Sequence, residues 1–170
     1  MSTSQLATDS KFSLYPELVP KPLWGLSGAN LLSRKAWESI RQSELEKAHR
    51  CCAVCLSTDS RLICHEQWAY DDENGTATLR GFEIHCKKCD LVTHMGRARA
   101  HGMGEEAIAQ FCAINHTLPD QAKETYRKAF SLWQLRNQKN WTLRVAEIIL
   151  QQYPELSLLQ GYNSKIESTE

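Results

Sequence analysis

The chain carries two matched cysteine pairs, Cys52-x-x-Cys55 and Cys86-x-x-Cys89, separated by thirty residues. A two-residue gap lets both thiolates of a tight turn reach one tetrahedral Zn²⁺, with Zn–S near ~2.3 Å. Four thiolates leave no open position, so such an ion is structural and staples a region with little core of its own. Cys51 adjoins the first pair as a competing ligand, while Cys64 and Cys112 read as core packing. The second pair runs on into Asp90 and His94, in CKKCDLVTH. Residues four apart on a helix lie one turn apart on one face, so this pair either shares an ion or forms a solvated i,i+4 contact. Lys87, Lys88, Arg97 and Arg99 surround the motif helix with only Asp90 opposing them. They read equally as a phosphate-binding patch or as a solvated face.

Several elements have to position these groups. Ser33 is a good N-cap, and the apolar spacing of Ala36, Trp37, Ile40, Leu45 and Ala48 predicts a helix over 34–49 that feeds into Cys51 and Cys52. RLICHEQWAY (61–70) and TATLRGFEIHC (76–86) are rich in strand formers, and DDENG between them is a turn. A hairpin therefore lies between the cysteine pairs, and the second pair opens a helix. That is the layout of a treble-clef zinc site, with one departure: Leu56 follows Cys55, where a first knuckle usually continues with Gly. Helical composition extends over 90–100, 105–116 and 119–138. The last of these starts at Pro119 and is expected to turn Tyr126, Ala129, Phe130, Trp133 and Leu135 inward. A short strand at 141–145 and a further helix follow. Residues 14–32, with three prolines, read as an extended arm that lays Leu14, Leu18, Leu23 and Trp24 on the core. Trp24, Trp37, Trp68, Tyr70 and Trp133 read as core rather than as stacking platforms for bases, and His85 and His101 as surface groups that flank the site, with phosphate contact the alternative.

The organisation expected is a disordered tail (1–13), one domain (14–150) and a C-terminal tail (151–170). Within the domain, 14–50 is arm and helix, 51–102 the metal core, and 103–150 a helical extension. The 170 residues are 42% apolar and 24% charged, ordinary for a globular protein, and the formal net charge is zero. A strong nonspecific nucleic-acid binder is usually basic, although a local patch can act where the total cancels. MSTSQLATDSKF lacks a basic start followed by an apolar run, so no signal peptide is expected, and no apolar stretch is long enough to span a membrane. The expected compartment is the reducing cytoplasm, where seven cysteines serve better as metal thiolates than as disulfides.

With that frame in place, the order of motifs is specific. C-x-x-C is followed by CHE-x-W-x-Y-D (Cys64 to Asp71), L-x-G (Leu79 to Gly81) and C-x-x-C-x-x-x-x-H-x-G (Cys86 to Gly96). This resembles the HNH endonuclease family, the zinc-stapled branch of the ββα-metal nucleases. It is most similar to a bacterial and phage subgroup with W-x-x-I-R before the first knuckle, here Trp37 to Arg41, and W-x-L near the end, here Trp141 to Leu143. The resemblance spans about residues 20–145.

The resemblance implies an α+β fold with an HNH-like ββα-metal core, flanked by N- and C-terminal helices. It implies a structural Zn²⁺ on Cys52, Cys55, Cys86 and Cys89. It also implies a catalytic Mg²⁺, Mn²⁺, Ni²⁺ or Zn²⁺ held by His65, Asp90 and His94, with Glu66 as general base; in a register shifted by one residue His65 is the base instead. The implied activity is hydrolysis of DNA phosphodiester bonds. The chain departs from the family pattern at Asp90, where the family has His; at Glu66, where it has a His base; at Ile63, an acidic position in the subgroup; and at Arg80-Gly81, where the central Asn would fall. A zinc-binding module of this fold that has lost chemistry and binds nucleic acid or protein is the alternative.

Overall fold

The computed structural model describes residues 12–58 and 61–164. The arm enters as extended chain, makes a 3-10 turn at Lys21–Leu23 and a short helix α1 (Gly28–Leu31). Helix α2 (Arg34–Lys47) begins where Ser33 Oγ accepts the Ala36 N–H at 3.2 Å, the expected cap, and it buries Ile40 and Leu45. Strands β1 (Leu62–Asp71) and β2 (Thr76–Cys86) form an antiparallel hairpin. Asp71 Oδ1 organises its turn by accepting the Glu73 and Asn74 N–H groups. Helices α3 (Lys87–Thr93), α4 (Met95–Ala100), α5 (Gly104–Asn115) and α6 (Pro119–Arg136) follow. Strand β3 (Thr142–Val145) then pairs parallel to β2, giving the sheet order β1-β2-β3, and α7 (Glu147–Gln152) and a 3-10 helix (Pro154–Leu159) complete the order. The result is a mixed α+β fold with a small three-stranded sheet.

The hairpin register decides which side chains share a face. Leu62 pairs with Cys86, Ile63 with His85, Cys64 with Ile84 and His65 with Glu83. Successive strand residues point to opposite sides. Ile63, His65, Glu83 and His85 therefore lie on one face, and Leu62, Cys64, Ile84 and Cys86 on the other. A bulge at Gln67/Trp68 separates this end from the turn end. Two apolar cores follow the same division. One gathers Leu62, Ile84, Val92, Met95 and Phe111 around the paired cysteines; the other packs Ile40, Leu79, Trp141 and Leu143 around the turn end.

Several elements differ from expectation. The helix expected over 90–100 starts at Lys87 and breaks at His94 (φ −97°, ψ 38°). Thr93 Oγ1 donates back to the Asp90 carbonyl at 3.0 Å, a bond that bends helices. Residues 151–164 are not a loose tail: Tyr153, Leu156 and Leu159 are buried, and Asn163 bridges to Thr142. Ser164 exchanges bonds of 2.8 Å with the Trp141 backbone. The expected disordered start lies largely outside the described residues, but Phe12 packs edge-on against Phe111 at 5.1 Å. Trp24 is 62% exposed, not core. On α6 the inward face is Ala122, Thr125, Ala129 and Arg136, which leaves Phe130 and Leu135 exposed. Among the described residues no helix is long and apolar enough to cross a membrane.

Arg136 ties α6 to the hairpin turn. Its Nε and Nη2 each reach an Asp72 carboxylate oxygen at 2.8 Å, and its guanidinium lies 4.3 Å from the Tyr70 ring centre. Lys139 Nζ bonds the Asp72 carbonyl beside it.

Candidate metal centres

The Sγ atoms of Cys52, Cys55, Cys86 and Cys89 all lie within 4.8 Å of one another, and together they can hold one metal ion. A tetrahedral site with metal–sulfur bonds near ~2.3 Å has sulfur–sulfur edges of about 3.8 Å. Cys55 and Cys86 already stand 3.6 Å apart. The first knuckle is built by Cys52 N–H bonding the Ser57 carbonyl and Leu56 N–H the Cys52 carbonyl, and Ala53 N–H to the Ile84 carbonyl fastens it to β2. Cys86 precedes the first residue of α3 and Cys89 lies on its first turn, so one helix start delivers both. Gln110 Nε2 donates to Cys89 Sγ at 3.3 Å from α5. Burial disfavours the Cys52 thiolate, yet backbone N–H groups of Cys55, Cys86 and Val54 bring its pKa below the ordinary thiol value. Burial and the neighbouring Cys52 and Cys86 push Cys89 upward against the Gln110 bond. Four crowded sulfurs need a cation to lose their protons together.

Cys51 lies outside the cage, its thiol directed to the Ala48 carbonyl at 2.9 Å. Burial, with Glu44 and Glu66 nearby, pushes the Cys64 thiol up to about 12, an inert packing group. Cys112 packs against the same core. The knuckle position that usually holds glycine is left-handed here as well: Leu56 has φ +59° and is 72% exposed. A left-handed non-glycine residue costs roughly 1–2 kcal/mol, only part of which the added chain freedom of glycine cancels. Leu56→Gly is therefore expected to raise stability by up to ~1 kcal/mol, read as a higher midpoint of chemical denaturation with unchanged slope.

The second cluster lies on the other hairpin face. One ligand atom from each of His65, His85 and Asp90 lies within 4.8 Å of the others, and all three residues are buried. His94 adjoins them, with Nε2 3.6 Å from Asp90 Oδ1 and its ring edge-on to His65 at 5.0 Å. Of the expected trio, His65 and Asp90 share the cluster, and His94 lies next to it while His85 is its third member. His85, expected at the surface, is fully buried and stacks on His65 at 5.0 Å and 11°. Burial opposes the His65 imidazolium, but the bond from its Nε2 to Glu17 Oε2 (3.0 Å) and the charges of Glu17, Asp90 and Glu66 raise its pKa overall. Burial lowers the pKa of His94 against the pull of Asp90.

Glu17, His85 and Glu83 are the site residues that sequence reasoning missed. Glu17 comes from the arm, held there by its N–H to the Thr93 carbonyl at 2.8 Å. It places a carboxylate beside His65. Glu66 is differently occupied. Its Oε1 accepts the Gly28 N–H at 2.7 Å and its Oε2 the Trp68 indole N–H at 3.1 Å, fixing α1 to the sheet. Burial raises its pKa despite these two bonds.

The second cluster opens into a cleft of about 830 Å³. His65, Asp90 and His94 line it together with Trp24, Phe130 and Trp133. Phe130 stacks on Trp133 at 5.2 Å along α6. Of the four expected basic residues, Arg97 lines this cleft and bonds Asp90 Oδ2 at 3.4 Å, whereas Arg99 lies over Tyr126. Lys87 and Lys88 are exposed at the start of α3. Comparison with family models, curated proteins and solved structures gave no match.

Proposed function

We propose that the chain is a metal-dependent endonuclease of HNH type, hydrolysing DNA phosphodiester bonds. The observation that supports this is the cluster of His65 and Asp90, with His94 Nε2 3.6 Å from Asp90 Oδ1, on a cleft that all three residues line. In this reading the cage holds zinc and stays structural. A second ion held beside it would supply Lewis-acid stabilisation of the charge on the scissile phosphate and leaving oxygen. Asp90 and His94 would hold it from the helix and His65 from the strand. Glu66, its pKa raised by burial toward the range of a working base, is the candidate to activate water; in the shifted register His65 takes that part. Arg97 stands ready to exchange its Asp90 contact for a phosphate, and the exposed rings of Trp24 and Phe130 offer faces to unpaired bases.

The test is cleavage of supercoiled plasmid and of single-stranded DNA with Mg²⁺, Mn²⁺ or Ni²⁺ added singly to protein that keeps its cage ion. Asp90→Ala and His94→Ala are each expected to lower cleavage on the order of 10³-fold, the several kcal/mol a metal supplies to the charged transition state. Glu66→Gln against His65→Ala decides the base. A second reading is the same fold acting as a nucleic-acid-binding module without chemistry. The engagement of both Glu66 oxygens by Gly28 and Trp68 favours it. Absence of cleavage with every ion, from folded protein that still binds DNA, would establish that reading instead.

A further inference from the structure

We propose that His65, His85 and Asp90 form a nitrogen-rich transition-metal site, with Glu17 and Glu83 as its outer carboxylates. The site shares His65 and Asp90 with the ion of the endonuclease reading and concerns that same ion, but it puts His85, backed by Glu83, where that reading puts His94, and it stands whether or not the ion cleaves anything.

The pairing of the ring nitrogens carries the argument. His65 Nε2 is bonded to Glu17 Oε2 at 3.0 Å and His85 Nε2 to Glu83 Oε2 at 2.8 Å. A metal-bound imidazole characteristically gives its other ring N–H to a carboxylate, which fixes the tautomer and leaves the remaining nitrogen a lone pair for the metal. On both rings that remaining nitrogen is Nδ1. His85 Nδ1 is buried and has no hydrogen-bond partner. Asp90 Oδ1 is buried and has none either, while Oδ2 takes the Arg97 contact. With His85 Nε2 as the donor to Glu83, both orphaned atoms are lone-pair acceptors, on residues that each bring a ligand atom within 4.8 Å of the other's. Two buried acceptors without a donor are each costly, by roughly 1–3 kcal/mol, and a cation between them satisfies both.

The hairpin explains how the site is built. His65 pairs with Glu83 and Ile63 with His85, so both rings and the Glu83 carboxylate project from one face. Stacking of the rings at 11° holds them parallel. Glu17 reaches the same place from the arm, and Asp90 from α3.

The donor set selects the ion. Two neutral imidazoles and one carboxylate suit Zn²⁺, Co²⁺, Ni²⁺ or Fe²⁺, whereas Mg²⁺ and Ca²⁺ prefer oxygen. His94 stands close enough to join as a fourth donor after a small movement.

The experiment uses the full chain carrying its cage ion. Co²⁺ is titrated in and followed by visible absorption and by metal counting. One further Co²⁺ per chain is expected, with nitrogen–oxygen ligand-field bands and no added thiolate charge-transfer band, and it should resist a large excess of Mg²⁺. His85→Leu is expected to weaken this binding at least ~100-fold and Glu83→Gln by about 10- to 100-fold, with the cage ion kept. Glu83, with a third of its side chain exposed, carries the test if the buried substitution does not fold. Uptake of no ion beyond the cage overturns the proposal, in favour of a water between the two acceptors. So does Co²⁺ affinity unchanged in Glu83→Gln and in any folded His85→Leu. Plasmid cleavage measured in parallel keeps the two readings apart: a chain that binds the second Co²⁺ but cuts nothing loses the endonuclease and keeps the site, and a chain that cuts with Mg²⁺ but takes up no Co²⁺ does the reverse.

Discussion

Cys89→Ser, or withdrawal of the cage ion by a strong chelator, is expected to unfold the half of the protein around α3 to α5. Cys52, Cys86 and Cys89 are buried members of the core that also contains Ile84, Val92, Met95 and Phe111. An ion in this cage would therefore lie in the middle of that core, not at its edge. Binding of a structural zinc by thiolates is worth roughly 10–16 kcal/mol near neutral pH, comparable to the ~5–15 kcal/mol of net stability of a whole domain. Losing one ligand leaves the buried Cys52 and Cys86 and the half-buried Cys55 with no cation or too weak a hold on it. Far-ultraviolet circular dichroism should lose helix signal, and all cage thiols should become reactive together. Cys51→Ser is the control. Its thiol is turned to the Ala48 carbonyl, so that variant should keep one ion per chain and a native spectrum. An ion count unchanged in Cys89→Ser would remove the four-cysteine cage.

The second large effect is expected at Asp72. Arg136 is 7% exposed, and Asp72 is its bidentate partner across the turn of the hairpin. Removing one member of a buried pair strands the other charge, at a cost of about 3–5 kcal/mol. Asp72→Ala should therefore destabilise by that amount, detach the end of α6 from the sheet and lower the denaturation midpoint accordingly. Tyr70 should report it, because the guanidinium that lies on its ring would lose its anchor. Replacing both partners, as Asp72→Ala with Arg136→Met, should recover a substantial part of the loss. A double variant no more stable than Asp72→Ala would mean that the Tyr70 contact and the Lys139 bond, not the ion pair, hold the turn.

Much of this architecture was legible in the chain. The cysteine spacing identified the cage, because thiolate geometry leaves few alternatives once two C-x-x-C pairs flank a hairpin. Ser33, the DDENG turn and Pro119 marked their boundaries through local hydrogen bonding and fixed backbone angles, which do not depend on tertiary context. What was not legible depended on register or on distant chain. His85 became a site residue only because it lies across from Ile63 and beside His65 on one hairpin face, and no local pattern announces that. Glu17 reaches His65 across 48 residues of sequence. The inner face of α6 was misjudged because its buried residues are the small ones, Ala122, Thr125 and Ala129, while the aromatics that periodicity assigned to the core line the cleft. Residues 154–164 lack a helix or strand period, yet Leu156 and Leu159 are fully buried against the turn-end core.

The hairpin end also acts as a partition with a ligand on each side of it. His85 and Cys86 are neighbours on β2 that face opposite ways, and Cys89 and Asp90 are neighbours on α3 that serve different clusters. The two candidate centres are therefore built from the same two backbone segments, and their assembly has a direction. Filling the cage fixes the strand end and the helix start that the histidine centre needs, whereas emptying the histidine centre leaves every cage ligand in place. A mild chelator should take the outer ion and leave a folded chain able to reload. A strong one should take both, and the outer ion should not return until the inner one has.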